Sequence, residues 1–307
     1  MLEVNNVKLV TIIAMMVVLI TSSQVLAMSG TPQDEKYEVE QHQDISNLEY
    51  IRRFEMPELY GLKRKVWIYL PADYKTSDKN YPVLYMHDGQ NLFENDSNFG
   101  SWRVDESINE LFKQGKIEGV IVVAVSNGSS RSREYAPYDY WLFNDYIDKT
   151  LGDKYIEFIV NTLKPYVDNN YRTKPSREHT AMAGSSLGGL ISLYGGLKYQ
   201  DVFSKIGAFS PYLVAPKGKI DKMYQFVEQT GKNKEMQIYL DVGTKEFGRA
   251  KYDKKYEQAV IDMHDLLKEA GFAKSELKLV VEEEGIHNER YWAKRFPDAF
   301  LWWFSEE

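Results

Sequence analysis

The sequence contains no cysteine. That absence excludes disulfides, thiolate metal sites, a cysteine nucleophile and a lipid-modified cysteine anchor. It has no Lys/Arg-rich run and a formal net charge of −7, so neither nucleic acid nor an anionic membrane surface is an expected partner. Histidine is scarce, with five in the chain, so candidates for acid–base work are few. The apolar run Leu9 to Thr21 has 13 residues, too few for a membrane span. Lys8 precedes it and Val25-Leu26-Ala27 follows, with small residues at −3 and −1, which is the grammar of a signal peptide. Residues 1–27 are therefore read as a signal peptide cleaved after Ala27, giving a secreted or periplasmic protein with no membrane contact after cleavage. Glu3 offsets part of the positive charge ahead of the run, and an uncleaved anchor is the alternative.

What remains looks globular: 43% of residues are hydrophobic and 27% charged, and 307 residues suit one large α/β domain. Thr31 to Asp44 is charged and poor in apolar residues, so residues 28–45 are read as a flexible leader with His42 solvated. From about Asn47, short β-rich runs alternate with helical patterns, predicting an α/β fold with a mostly parallel central sheet and helices on both faces over residues 46–307. The expected strands are Lys65–Leu70, Val83–Met86, Val120–Val125, Thr180–Ala183, Lys205–Phe209, Gln237–Val242 and Leu277–Val281. Tyr256, Val260, Met263 and Leu267 form one stripe of a helix over Tyr252–Ala270. A second stripe predicts a helix over Tyr155–Val167, with Pro165 kinking or tightening its last turn.

The chemistry is concentrated in Thr180-Ala-Met-Ala-Gly-Ser-Ser-Leu-Gly-Gly-Leu190. Gly184, Ser186 and Gly188 there spell G-x-S-x-G between an expected strand and a helix-like run. This is the nucleophile elbow of the α/β-hydrolase fold. A sharp turn pushes the serine hydroxyl outward, and glycines are needed where strand and helix crowd it. The pattern makes Ser186, not Ser185, the nucleophile, and the backbone N–H of Leu187 the first oxyanion donor.

In this fold the triad runs serine, acid, histidine along the chain, so the base follows Ser186 and is either His264 or His287. His264 falls at the edge of a helical stripe, where a packed surface histidine is the ordinary reading. His287 follows the last expected strand, where α/β folds place reactive groups. For the acid, Glu246 lies beyond the strand Gln237–Val242 and is preferred, while Asp241 within the strand is the alternative. The implied reaction is attack of Ser186 on an ester carbonyl with His287 as base, the acid fixing its tautomer and water resolving the acyl-enzyme. No cofactor and no metal are called for.

Several ordered segments, MHDGQNLF at 86–93, Ser101-Trp-Arg-Val-Asp-Glu106, Arg133-Glu-Tyr135, Gly184-Ser-Ser-Leu-Gly-Gly189 and Gly285-Ile-His-Asn-Glu289 with Trp292, resemble a family of esterases. That family includes esterase D, enterochelin esterases, feruloyl and acetylxylan esterases and mycobacterial mycolyltransferases. The resemblance runs from about Val66 to Phe304. It implies that Gln90 gives the second oxyanion N–H, that His287 is the base, and that Glu246 stands where many relatives have aspartate. It also implies that His87 and Asp88 shape the substrate pocket. Aromatic residues make up 14% of the chain, and Trp102 and Tyr135 lie near expected loops where they would stack on a sugar or aromatic acyl group.

The expected partner is a small or sugar-linked ester. An acyltransferase on the same triad, or a non-catalytic binding protein on the same fold, are the other readings. Pro211 to Gly231 is a candidate lid or wall.

Overall fold

The computed structural model describes residues 36–94, 100–143, 145–214 and 222–305. The segment expected to be a signal peptide and the first part of the expected leader lie outside the described residues, as does part of the candidate lid. The chain from Asp34 to Glu307 forms one compact unit.

Eleven strands are described: β1 Glu40–Gln41, β2 Leu48–Met56, β3 Leu62–Tyr69, β4 Val83–His87, β5 Ile121–Val125, β6 Tyr140–Leu142, β7 Asp145–Ile147, β8 Thr180–Ser185, β9 Lys205–Phe209, β10 Gln237–Gly243 and β11 Leu277–Glu282. Nine of them make one sheet in the order β1-β2-β3-β5-β4-β8-β9-β10-β11, and β6 and β7 form a separate hairpin. From β5 to β11 every neighbouring pair in that sheet is parallel, whereas β1, β2 and β3 add antiparallel at one edge. The fold is α/β with a mostly parallel sheet, as expected. Strands β4 (VLYMH) and β5 (IVVAV) are buried at every position, which is why they read as unbroken apolar runs: a parallel strand covered on both faces has no polar side.

The helices are α1 Val104–Lys113, α2 Arg131–Glu134, α3 Gly152–Phe158, α4 Lys164–Asn170, α5 Leu187–Lys198, α6 Lys222–Thr230, α7 Ala250–Glu269 and α8 Glu289–Phe304. Two buried clusters cover the two sheet faces. The smaller holds Ile108 of α1 with Trp292, Phe296 and Phe300 of α8, each worth about 2–3 kcal/mol when removed from water. Between α3 and α4 the path widens into a π turn, Ile159–Leu163. Pro165 thus falls in the first turn of α4, where its missing N–H costs little, and not in the last turn of a helix as expected; the helix runs on to Asn170.

The leader is corrected too. Residues 36–45 are docked, with β1 paired to β2, the Tyr37 ring stacked on Phe54 at 4.4 Å and His42 hydrogen-bonded to Glu94. Among the described residues no helix is long and apolar enough to cross a membrane.

Candidate active site

Ser186 sits between β8 and α5 with φ 58° and ψ −121°. A non-glycine residue holds such a conformation only where its surroundings impose it. Here the Ser186 N–H donates to the Phe209 carbonyl at 2.9 Å, and its own carbonyl accepts from the N–H groups of Leu190 and Tyr212, both at 3.0 Å. A Cβ on Gly184 would lie 2.9 Å from the Gly188 backbone and from the His87 ring, and one on Gly188 would lie 3.4 Å from Asp88 Oδ2. Close approach thus explains Gly184, while at Gly188 the neighbours stand at ordinary contact distance; both place the elbow against the end of β4 and the residue that follows it.

The loops after β10 and β11 bring Glu246 and His287 together. The His287 N–H donates to the Glu246 carbonyl at 2.9 Å, and His287 Nδ1 lies 2.5 Å from Glu246 Oε2. A carboxylate only accepts, so Nδ1 carries the proton and Nε2 is left with a lone pair. Glu246 is 1% exposed, and its other oxygen accepts from Ser210 Oγ and the Gly243 N–H, each at 2.6 Å. Phe247 stacks on the imidazole at 4.8 Å and Trp292 meets it edge-on at 5.0 Å. Asp241, the alternative acid, is spoken for: Arg295 Nε and Nη2 donate to it at 2.8 and 3.1 Å, and the Ser210 N–H at 2.8 Å. Burial pushes its carboxyl up to about 6 against the pull of Arg295. His264 remains in α7, paired with its neighbour Asp265 at 3.3 Å.

After β4 the chain turns through Asp88 (φ 57°) into a short 3-10 turn, Gly89–Asn91. The Asp88 carboxylate accepts from Asn127 Nδ2 at 2.6 Å and from Arg131 Nε and Nη2 at 2.7 and 2.8 Å. Burial raises its pKa, but Arg131 and Asn127 outweigh burial and hold the carboxyl below its usual range. The Gln90 side chain is drawn aside, its Oε1 accepting the Asn127 N–H at 3.2 Å. Leu187 is the first residue of α5, where helix N–H groups lack intrahelical partners and the dipole favours negative charge.

Comparison with known proteins identifies the family of the chain. Residues 58–303 match the family described as "Putative esterase". The chain belongs to that family. It is a carboxylic-ester hydrolase. The esterase is 27% identical to YbbA of Bacillus subtilis (strain 168), described as uncharacterized, across 79% of this chain and 93% of that protein. It is 29% identical to an endo-1,4-beta-xylanase/feruloyl esterase of Xylanibacter ruminicola, over 50% of this chain and 20% of that protein. In fold it resembles the enterobactin esterase FES of Shigella flexneri (TM-score 0.65, 18% identity, 88% of this chain, 61% of that one). It likewise resembles a ferulic acid esterase of Anaeromyces mucronatus (TM-score 0.60, 20% identity, 88% of this chain, 93% of that one).

All four residues expected at the substrate pocket of this esterase are buried, and for Trp102 and Tyr135 burial corrects the expectation of stacking on substrate. His87 is 2% exposed, sits between the rings of Tyr135 and Tyr155 at 5.4 Å from each and shares a 2.8 Å hydrogen bond with Tyr155. Burial lowers its pKa to about 4, so the ring is neutral at pH 7. Asp88 is taken up by Arg131. Tyr135 is fully buried, its hydroxyl accepting the Asp88 N–H at 3.1 Å. Trp102 packs on Phe209 and Trp292 at 4.9 and 5.8 Å and is 2% exposed. A ring with no open face cannot stack on a sugar. Two exposed rings near the site are Phe143 and Tyr146, each 54% exposed, on the β6–β7 hairpin, with Phe143 6.0 Å from Phe247. Ser210, Asn127, Arg131 and Arg295 were invisible to sequence reasoning, because each acts on a partner far along the chain. Among the described residues no group of three His, Asp or Glu could hold a metal ion.

Proposed function

We propose that this esterase is an exported serine hydrolase in which Ser186, His287 and Glu246 form the triad and the N–H groups of Leu187 and Gln90 form the oxyanion hole. The observation that carries the reading is the 2.5 Å contact of His287 Nδ1 with a Glu246 carboxylate whose other oxygen is already braced. A base so oriented presents Nε2, the nitrogen the chemistry needs.

His287 Nε2 takes the Ser186 proton as Oγ attacks the ester carbonyl, and the tetrahedral oxyanion is met by the two N–H groups. The intermediate collapses with the proton passing from His287 to the leaving alcohol. Water, deprotonated by the same imidazole, then releases the acid and restores Ser186. The substrate class is a small or sugar-linked ester. The resemblance to proteins named for feruloyl and enterobactin esters supports this class, as does the aromatic character of the exposed hairpin. The test is to purify residues 28–307 and assay acetyl, feruloyl and longer acyl esters beside Ser186→Ala. A loss of about 10³-fold or more is expected. Equal rates would sink the reading, and turnover that depends on an added alcohol acceptor would favour acyl transfer.

A further inference from the structure

The loop that carries His287 and the turn that carries Gln90 come from opposite ends of the domain, yet a direct hydrogen bond joins them. Asn91 Nδ2 donates to Glu289 Oε1 at 2.9 Å, across 198 residues of sequence. Asn91 directly follows Gln90, and Glu289 opens α8 two residues after His287. Both ends of the link are rigid. The Asn91 N–H donates to the Asp88 carbonyl at 2.8 Å, and the Asn91 carbonyl accepts the Trp102 N–H at 2.9 Å. On the other side Asn288 caps α8 by accepting the Arg290 N–H at 2.9 Å, and Trp292 Nε1 donates to Ser210 Oγ at 3.0 Å.

Glu289 is 8% exposed. A carboxyl at that depth costs stability unless its hydrogen bonds matter, and apolar side chains would fill the same space without penalty. Gln90 is thus staked on both flanks. Upstream, Asp88 is held by Arg131 and Asn127; downstream, Asn91 is held by Glu289. The turn itself is a single short 3-10 segment, too small to keep its own aim.

We propose that Glu289 is a positioning residue that, through Asn91, sets the Gln90 N–H in register with the His287 imidazole, so that oxyanion donor and base are held as one unit. The inference rests on the serine-hydrolase reading above. A donor must sit within hydrogen-bond distance of the oxygen as charge develops on it, so a small drift of the turn lowers kcat while leaving ground-state binding intact.

The test compares Glu289→Ala, Asn91→Ala, the double variant and Glu289→Gln with the wild type, with rates normalised to titrated active sites and Ser186→Ala as control. Two quantities are read: kcat and KM on a soluble ester, and inhibition by phenylboronic acid, whose tetrahedral serine adduct puts an oxygen in the hole. Each alanine variant is expected to lose about tenfold in kcat, with KM within about twofold and boronate affinity weakened in parallel. The double variant should be no worse than the poorer single one, because both cut the same link. Glu289→Gln keeps an oxygen that accepts from Asn91 and should stay within about threefold of wild type. Should Glu289→Ala not fold, Asn91→Ala breaks the same bond from a partly exposed position. Multiplying losses in the double variant, a change in KM in place of kcat, or a Gln variant as poor as Ala would each overturn the proposal. An active Ser186→Ala would instead overturn the serine mechanism, whereas an inactive control beside unaffected alanine variants would remove the positioning role alone.

Discussion

Two buried carboxylates near the end of β10 have been given opposite work by their neighbours. Among the described residues Glu246 is bonded to no lysine or arginine and spends one oxygen on His287, whereas Asp241 is bidentate with Arg295. Glu246→Gln should therefore lower kcat by about 10³–10⁴-fold, because the amide no longer enforces the Nδ1-protonated tautomer, with the melting temperature nearly unchanged. Asp241→Asn should do the reverse, costing about 2–3 kcal/mol by removing one of the two carboxylates that pair with the buried Arg295 guanidinium, Glu282 remaining as the other, while the folded fraction retains most of its activity. Activity and thermal melts on both variants decide the assignment, and a swap of the two phenotypes would make Asp241 the acid.

Glu289 adds a pH dependence with a definite sign. Burial first, then Asp88, raises its pKa from the ordinary 4.5 to about 7, opposed by its own backbone N–H, by Arg131 and by the Asn91 amide. The folded state therefore holds this proton more tightly than the unfolded chain. The stability it contributes is fully present below about pH 4.5 and lost as pH rises through about 7. Glu289→Gln cannot ionise, so its melting temperature should exceed that of the wild type at pH 8, and the gap should shrink toward pH 4.5. Asp241 titrates in both proteins and cancels from the difference. A gap that widens on acidification would contradict the assignment.

At the scale of elements, the strands and the long helix α7 were legible because their patterns are local. A parallel strand is a short apolar run, and α7 shows its stripe within one window. The elements that escaped notice break those patterns. In β2, LEYIRRFEM sets two arginines inside a strand, one in from the sheet edge, that carries a register irregularity between Ile51 and Phe54, and α8 holds Pro297 within it. The residues of the proposed triad were legible because each lies just past the end of a different parallel strand, where the fold collects its loops. Their supports were not, since Arg131 reaches Asp88 over 43 residues and Asn91 reaches Glu289 over 198, and nothing local marks either pairing. The β6–β7 hairpin belongs with these hidden features. The Tyr212 hydroxyl donates to the Trp141 carbonyl at 3.0 Å and accepts the Phe143 N–H at 3.1 Å, while the Tyr212 N–H binds Ser186. Tyr212→Phe should cost about 1 kcal/mol, speed amide exchange at Phe143 and raise KM for a feruloyl ester several-fold over that for an acetyl ester. Unchanged exchange at Phe143 would show that the hydroxyl does not hold the hairpin.

For the whole molecule, the parallel half of the sheet is covered by helices, and the antiparallel edge is where the fold is exposed to mispairing. A nine-residue strand such as β2 invites pairing with another chain unless its open side is occupied. Residues 36–45 occupy it: β1 pairs Glu40 and Gln41 with Tyr50 and Glu49, Tyr37 covers Phe54 and Tyr166 at 4.4 and 5.4 Å, and His42 holds Glu94. A chain starting at residue 46 loses these contacts and bares the fully buried ring of Phe54. Relative to 36–307, the 46–307 chain should melt roughly 5–10 °C lower, from a loss of about 2–3 kcal/mol, and self-associate with a concentration-dependent elution volume. Its kcat should persist, because β1 and β2 lie at the far edge of the sheet order from β8, β10 and β11, which carry Ser186, Glu246 and His287. Identical melting and elution for the two chains would mean that the segment only rests on the surface; lost kcat in a folded 46–307 monomer would mean that the edge and the site are coupled through β3 and the Gly89–Asn91 turn.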